Sequence, residues 1–135
     1  MSVTYTLANK ILDFNLGATA YSALSTLYLG LSTTTISIDG TGATEPSGGA
    51  YARVAIINNK TNFSTATLGV LSNATAIQFT ESTASWGVIT YVFLADALTS
   101  GNIYLYEALS TPKTVQSATT VLFSVGALSF SMINS

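Results

Sequence analysis

Apolar residues recur at alternate positions along most of this chain, in short runs divided by turn residues. That spacing is the signature of half-buried strands. Thr26-Leu-Tyr-Leu-Gly-Leu31 places Leu27, Leu29 and Leu31 on one face. Tyr51-Ala-Arg-Val-Ala-Ile-Ile57 predicts a second strand, ended by Asn58-Asn-Lys-Thr-Asn62. Thr75 to Thr80 alternates cleanly, and Trp86 to Ala95 is apolar on both faces, which suits a central strand covered on both sides. Asn102 to Leu109 follows the turn 98–102, and 119–123 with 127–132 predicts a closing hairpin around Val125-Gly126.

One segment departs from this texture. Residues 6–16 carry Leu7, Ile11 and Leu12 at helical spacing, with Thr6 as N-cap and Gly17 at the position of a C′ glycine. Residues 33–50 hold Asp39-Gly-Thr-Gly and Glu45-Pro-Ser-Gly-Gly. This exceeds the usual loop ceiling of about 12–15 residues, so it is either functional or carries a short strand over 34–38. The pattern predicts one all-β domain over residues 1–135. Its form is an antiparallel β-sandwich, jelly-roll-like, with one short N-terminal helix.

Composition changes the picture by restricting chemistry. Only 7% of residues are charged, against about 25% in ordinary soluble domains. Ser, Thr and Asn supply the polarity instead, and such a surface is poorly defended against association. Net charge is −2 with no basic cluster, so nucleic acid is not an expected partner. No apolar run reaches about 18 residues, so no membrane insertion by a helix is expected. The opening Met1-Ser-Val-Thr-Tyr-Thr lacks the basic start of a signal peptide, so secretory export is not expected. The chain has no Cys and no His. Thiolate chemistry, disulfides and the commonest general base and metal ligand go with them.

The remaining motifs have structural readings beside their functional ones. Asp39-Gly-Thr-Gly lacks the Lys-Ser/Thr and following helix of a phosphate loop, and lacks EF-hand spacing for Ca²⁺. Its glycines read as turn residues. Asp96 and Glu107 are the carboxylates to check for glycoside hydrolysis. The competing expectation is that Asp96 opens a turn and Glu107 faces solvent or pairs with Lys113 or Arg53. The Asn59, Asn62 and Asn73 glycosylation tripeptides are expected by chance in so Asn/Thr-rich a chain. Trp86 reads as core. Tyr21, Tyr28 and Tyr51 lie nearer turns and suit an interface or a sugar-stacking platform. Arg53, the one arginine, needs a partner, with Glu45 and Glu81 as candidates, or serves as an interface anchor.

Several runs, taken together, resemble a known family: Leu27-Tyr-Leu-Gly-Leu-Ser-Thr-Thr34, Thr44-Glu-Pro-Ser-Gly-Gly-Ala-Tyr-Ala-Arg-Val-Ala55, Ser85-Trp-Gly-Val-Ile-Thr90, Thr111-Pro-Lys-Thr-Val115 and Phe123-Ser-Val-Gly-Ala-Leu-Ser-Phe130. The family is that of small tailed-bacteriophage proteins described as tail-fibre or virion structural proteins. The resemblance implies a virion component made in the host bacterial cytoplasm, without catalysis or cofactor. Its compact length also suits a capsid decoration or cement subunit. Expected partners are copies of itself, as a trimer by family analogy, and other virion proteins of capsid or tail. Arg53, Tyr51, Tyr21 and Tyr28 are the interface candidates. The alternative is a lectin-like module binding a host surface glycan, suggested by Tyr and Asn in the loops.

Overall fold

A computed structural model describes residues 1–132. Its elements are β1 (Ser2–Val3), α1 (Tyr5–Asn15), β2 (Thr26–Ser32), β3 (Val54–Ile57), β4 (Val70–Ser72), β5 (Ile77–Gln78), β6 (Gly87–Ala95), β7 (Ile103–Val115), β8 (Leu122–Phe123) and β9 (Ser129–Ser131). A five-stranded sheet runs in the order β1-β7-β6-β2-β3, and β4-β9 and β5-β8 form two separate ribbons. All these pairings are antiparallel. The all-β expectation with one short helix is met.

Burial explains the layering. Leu29, Leu31, Ile89, Val92, Leu94 and Leu105 leave one face of the large sheet and meet Phe63, Ile77, Phe79, Val121, Leu128 and Phe130 from the ribbon side. The result is sandwich-like. The opposite face of β6 is also covered: Phe93 and Ala95 pack with Ile36 and Ile103. Ile36 comes from the 33–50 loop, so that loop is long because it lids the second face. The strand expected over 34–38 does not form. Instead Gly40 N–H donates to Ser37 O (2.8 Å) and Ser37 N–H to Thr41 O (2.8 Å), closing a turn.

Two strands meet at close range where Gly30 faces Phe93. A Cβ at Gly30 would lie 2.2 Å from the Phe93 ring, so only glycine lets the ring lie flat over β2. β7 runs past its expected end at Leu109. Thr90 alone faces the segment from Leu109 to Pro112, an irregularity that lets proline sit in a strand without missing a ladder bond.

Other boundaries shift for physical reasons. The helix begins after Thr4, not Thr6, because Thr4 is fully buried and tied to Ile103 O and Tyr104 O. It ends at Gly17 as expected, with Leu16 N–H donating to Leu12 O (2.6 Å). Leu12, expected on the inward face, is exposed, while the other two residues of that face, Leu7 and Ile11, are half-buried. The strand expected over 51–57 forms only from Val54, because Tyr51 N–H closes a turn onto Gly48 O (3.0 Å). The hairpin expected over 119–132 is not one. β8 pairs with β5 and β9 with β4, in different ribbons. The cause is Asn73, fully buried, whose Oδ1 accepts Leu128 N–H (2.9 Å) while its Nδ2 donates to Ser124 O (2.9 Å) and Thr75 O (2.9 Å).

The folded chain exposes 7423 Å², where a monomer of this mass exposes about 6,700 Å².

Candidate functional site

The strongest motif of the chain folds into a clamp. Both oxygens of Glu45 receive Arg53, Oε1 from Nε (2.9 Å) and Oε2 from Nη2 (2.9 Å). Glu45 Oε1 also accepts the Tyr51 hydroxyl (2.7 Å), whose oxygen takes Leu31 N–H (2.9 Å). Arg53 Nη1 reaches across to Ala97 O (2.6 Å) and Ser100 O (2.9 Å), and its guanidinium lies 5.0 Å above the Phe93 ring. Glu45, not Glu81, is therefore the partner of Arg53. Gly48 and Gly49 both have positive φ, and Gly49 O accepts the Trp86 indole N–H (2.8 Å). Trp86 is core, as expected, and Tyr51 packs edge-on against it at 5.3 Å. Burial pushes the Tyr51 hydroxyl up from its ordinary pKa, and the Glu45 carboxylate adds to this. Glu-Pro-Ser-Gly-Gly-Ala-Tyr-Ala-Arg thus ties loop 33–50 to β2, β6 and the 97–100 turn.

The carboxylates flagged for chemistry are not brought together. Asp96 caps its own turn, accepting Asn102 N–H (2.7 Å) and Asn102 Nδ2 (3.0 Å). Glu107 sits opposite Val92, lower on the β6–β7 ladder, and is exposed. Asp39 accepts Thr41 Oγ1 (2.7 Å) and Thr41 N–H (3.0 Å), which hold its carboxyl below the usual value. Among the described residues no group of three or more acidic side chains is placed to hold a metal ion. No helix among them is long and apolar enough to cross a membrane.

What remains is apolar surface. α1 has no buried residue. Leu7 leans on the core and Ile11 is half-buried on the same side; Tyr5 and Leu12 on another face, with Leu16 just past the helix end, are exposed. Phe14 meets Tyr21 edge-on at 5.6 Å beside it, both exposed. Between α1, the large sheet and the β4–β9 ribbon lies an apolar groove of about 610 Å³, floored by Leu7, Leu27, Leu94 and Phe130, with Lys60 at its rim.

A family described as "Podophage GP4 fiber I protein gp80" matches residues 2–131. The chain belongs to this family. It is a structural protein of a tailed-phage virion, of the tail-fibre kind. No curated protein matches it.

For a fibre protein the four residues singled out in the sequence divide into two pairs. Arg53 and Tyr51 converge on Glu45 inside the fold. Tyr28 lies in β2, half-buried, opposite Ala55 and Ala95. Tyr21 stands in the connection after α1 and is exposed. Sequence spacing groups Leu12 with Leu7 and Ile11, but five steps of about 100° put Leu12 about 140° from Leu7, on the exposed side with Tyr5.

Proposed function

We propose that the chain is a non-catalytic subunit of a podophage tail fibre. It works by self-assembly, as a trimer, and by docking onto other virion proteins through the outer face of α1. The exposed stripe of Tyr5, Leu12 and Leu16 carries this reading. Leu7 packs on the core while Tyr5, Leu12 and Leu16 are exposed, so the outer apolar residues are explained by a partner rather than by the core. Family membership supports a place on the tail rather than on the capsid.

The test is a phage carrying Leu12→Ser and Leu16→Ser together. The purified variant is expected to keep the wild-type circular dichroism, because both side chains are already in water. Particles are expected to lack the protein, as read by immunoblot. Full incorporation would overturn docking through α1. Gold labelling along the capsid instead of the tail would make this a decoration subunit. Glycan-array binding lost on Tyr21→Ala would favour the lectin-like reading, and depolymerase activity lost on Asp96→Asn or Glu107→Gln would end the non-catalytic one.

A further inference from the structure

One dipeptide of the chain carries a chemical liability. Asp39-Gly40 is its single Asp-Gly, and the sequence holds no Asn-Gly. In an exposed Asp-Gly the amide nitrogen of Gly attacks the Asp side-chain carboxyl carbon, because glycine has no Cβ to hinder the approach. The new C–N bond closes a succinimide ring, and the amide proton and the carboxyl hydroxyl leave together as one water. Water then opens the ring at either carbonyl. One opening returns aspartate. The other leaves an isoaspartyl linkage, with the chain routed through Cβ and lengthened by one backbone carbon. Asp39 is exposed, so water is at hand for the second step.

The turn needs both residues. Gly40 has φ of +83°, where a side chain is strained, and its N–H donates to Ser37 O (2.8 Å). Asp39 Oδ1 accepts Thr41 N–H (3.0 Å) and Thr41 Oγ1 (2.7 Å). The same bonds stand against ring closure. To bring the carboxyl carbon onto Gly40 N, the carboxyl group must turn out of the bonds from Thr41, and the nitrogen must leave Ser37 O. The Thr41 bonds also hold the carboxyl below its usual pKa. An ionised carboxylate, with no hydroxyl to expel, is a poorer electrophile than the acid.

We infer that Asp39-Gly40 is a site of spontaneous isoaspartate formation held shut by Thr41, whose hydroxyl and N–H clamp the carboxylate. What the clamp protects is the cover of the second sheet face. Ser37 N–H donates to Thr41 O (2.8 Å) and Tyr5 N–H to Ile38 O (3.0 Å), while Ile36 beside them packs with Phe93, Ala95 and Ile103. An extra backbone carbon between residues 39 and 40 breaks that register. The loop then no longer seats Ile36, and the start of α1 loses its tie to the turn. A virion subunit is not renewed once the particle has left its host, so the durability of this turn bears on its working life.

The experiment follows isoaspartate at residue 39 by peptide mapping and mass spectrometry during prolonged warm incubation at neutral pH. It compares the folded wild-type chain, the same chain held unfolded in guanidinium chloride, Thr41→Val and Thr41→Ser. Folded wild type is expected to react at least about tenfold more slowly than the unfolded chain. Thr41→Val keeps the N–H and loses the hydroxyl, and is expected to speed the folded reaction roughly fivefold. Thr41→Ser is expected to restore the wild-type rate, which a merely space-filling role for Thr41 would not require. The isoaspartyl fraction, separated by chromatography, is expected to have a lower Tm than the unmodified chain. Thr41→Ala takes the place of Thr41→Val should the latter lack the wild-type circular dichroism. A folded wild-type chain as reactive as the unfolded one overturns the inference. So does a folded Thr41→Val or Thr41→Ala chain no faster than wild type, or an unfolded chain that forms no isoaspartate at all.

Discussion

Arg53 joins three parts of the chain that are distant in sequence: Glu45 in the long loop, Ala97 and Ser100 in the turn after β6, and the Phe93 ring. Removing it leaves a carboxylate and two carbonyls without their donor. Arg53→Ala is expected to cost about 3 kcal/mol in urea unfolding, the range for breaking a buried pair, with Glu45→Gln costing less because an amide still accepts from Tyr51. Tyr51 sets a pH dependence. Its folded hydroxyl, held protonated by burial, titrates above the unfolded value near 10. Below pH 10 both states keep the proton and nothing changes. Above it the unfolded chain loses the proton first, so stability falls with rising pH, by at most about 1.4 kcal/mol per pH unit from this residue. Tyr51→Phe is expected to flatten that fall in urea midpoints measured from pH 8 to 11.

Among the elements, β2 and β6 were legible because their apolar spacing reports burial directly: Leu27, Leu29 and Leu31 share the inner face, and both faces of β6 are covered. β4 was not, since Val70-Leu-Ser72 is too short for period two to be seen. The ribbons were misread for a related reason. The turn at Val125-Gly126 is real, with Ala127 N–H donating to Ser124 O (2.9 Å), but local turn chemistry cannot tell whether the flanking strands pair with each other or with strands far upstream. Asn73 decides it, and a lone Asn in a Ser/Asn/Thr-rich stretch carries no mark of burial. Asn73→Ala is expected to cost about 2–3 kcal/mol by chemical denaturation, since it strands a buried Leu128 N–H and two carbonyls. The Glu45–Arg53 clamp was half legible: the need for a partner followed from charge, the convergence of Tyr51 and Trp86 did not. The exposure of Leu12 and Leu16 was not legible, because exposure is a tertiary property.

At the scale of the whole molecule, the sparse charge has a measurable consequence. Contacts made by apolar side chains and uncharged polar groups feel little screening. Self-association is expected to change less than about twofold between 50 mM and 1 M NaCl, and to strengthen in sulfate, in light-scattering measurements. The ladders also set a timetable for folding. Ser2 pairs with Tyr106, Val70 with Ser131 and Ile77 with Phe123, so the β1, β4 and β5 pairings wait until late residues have been synthesised. Chains dominated by such non-local pairings fold on the millisecond-to-second scale rather than in microseconds. During that interval β6, apolar on both sides, lacks the cover that Val121, Leu128 and Phe130 supply on its ribbon side. A ribosome-bound chain that stalls before the last strands therefore presents its stickiest segment unprotected, and the yield of assembled particles becomes a contest between strand closure and aggregation in the crowded host.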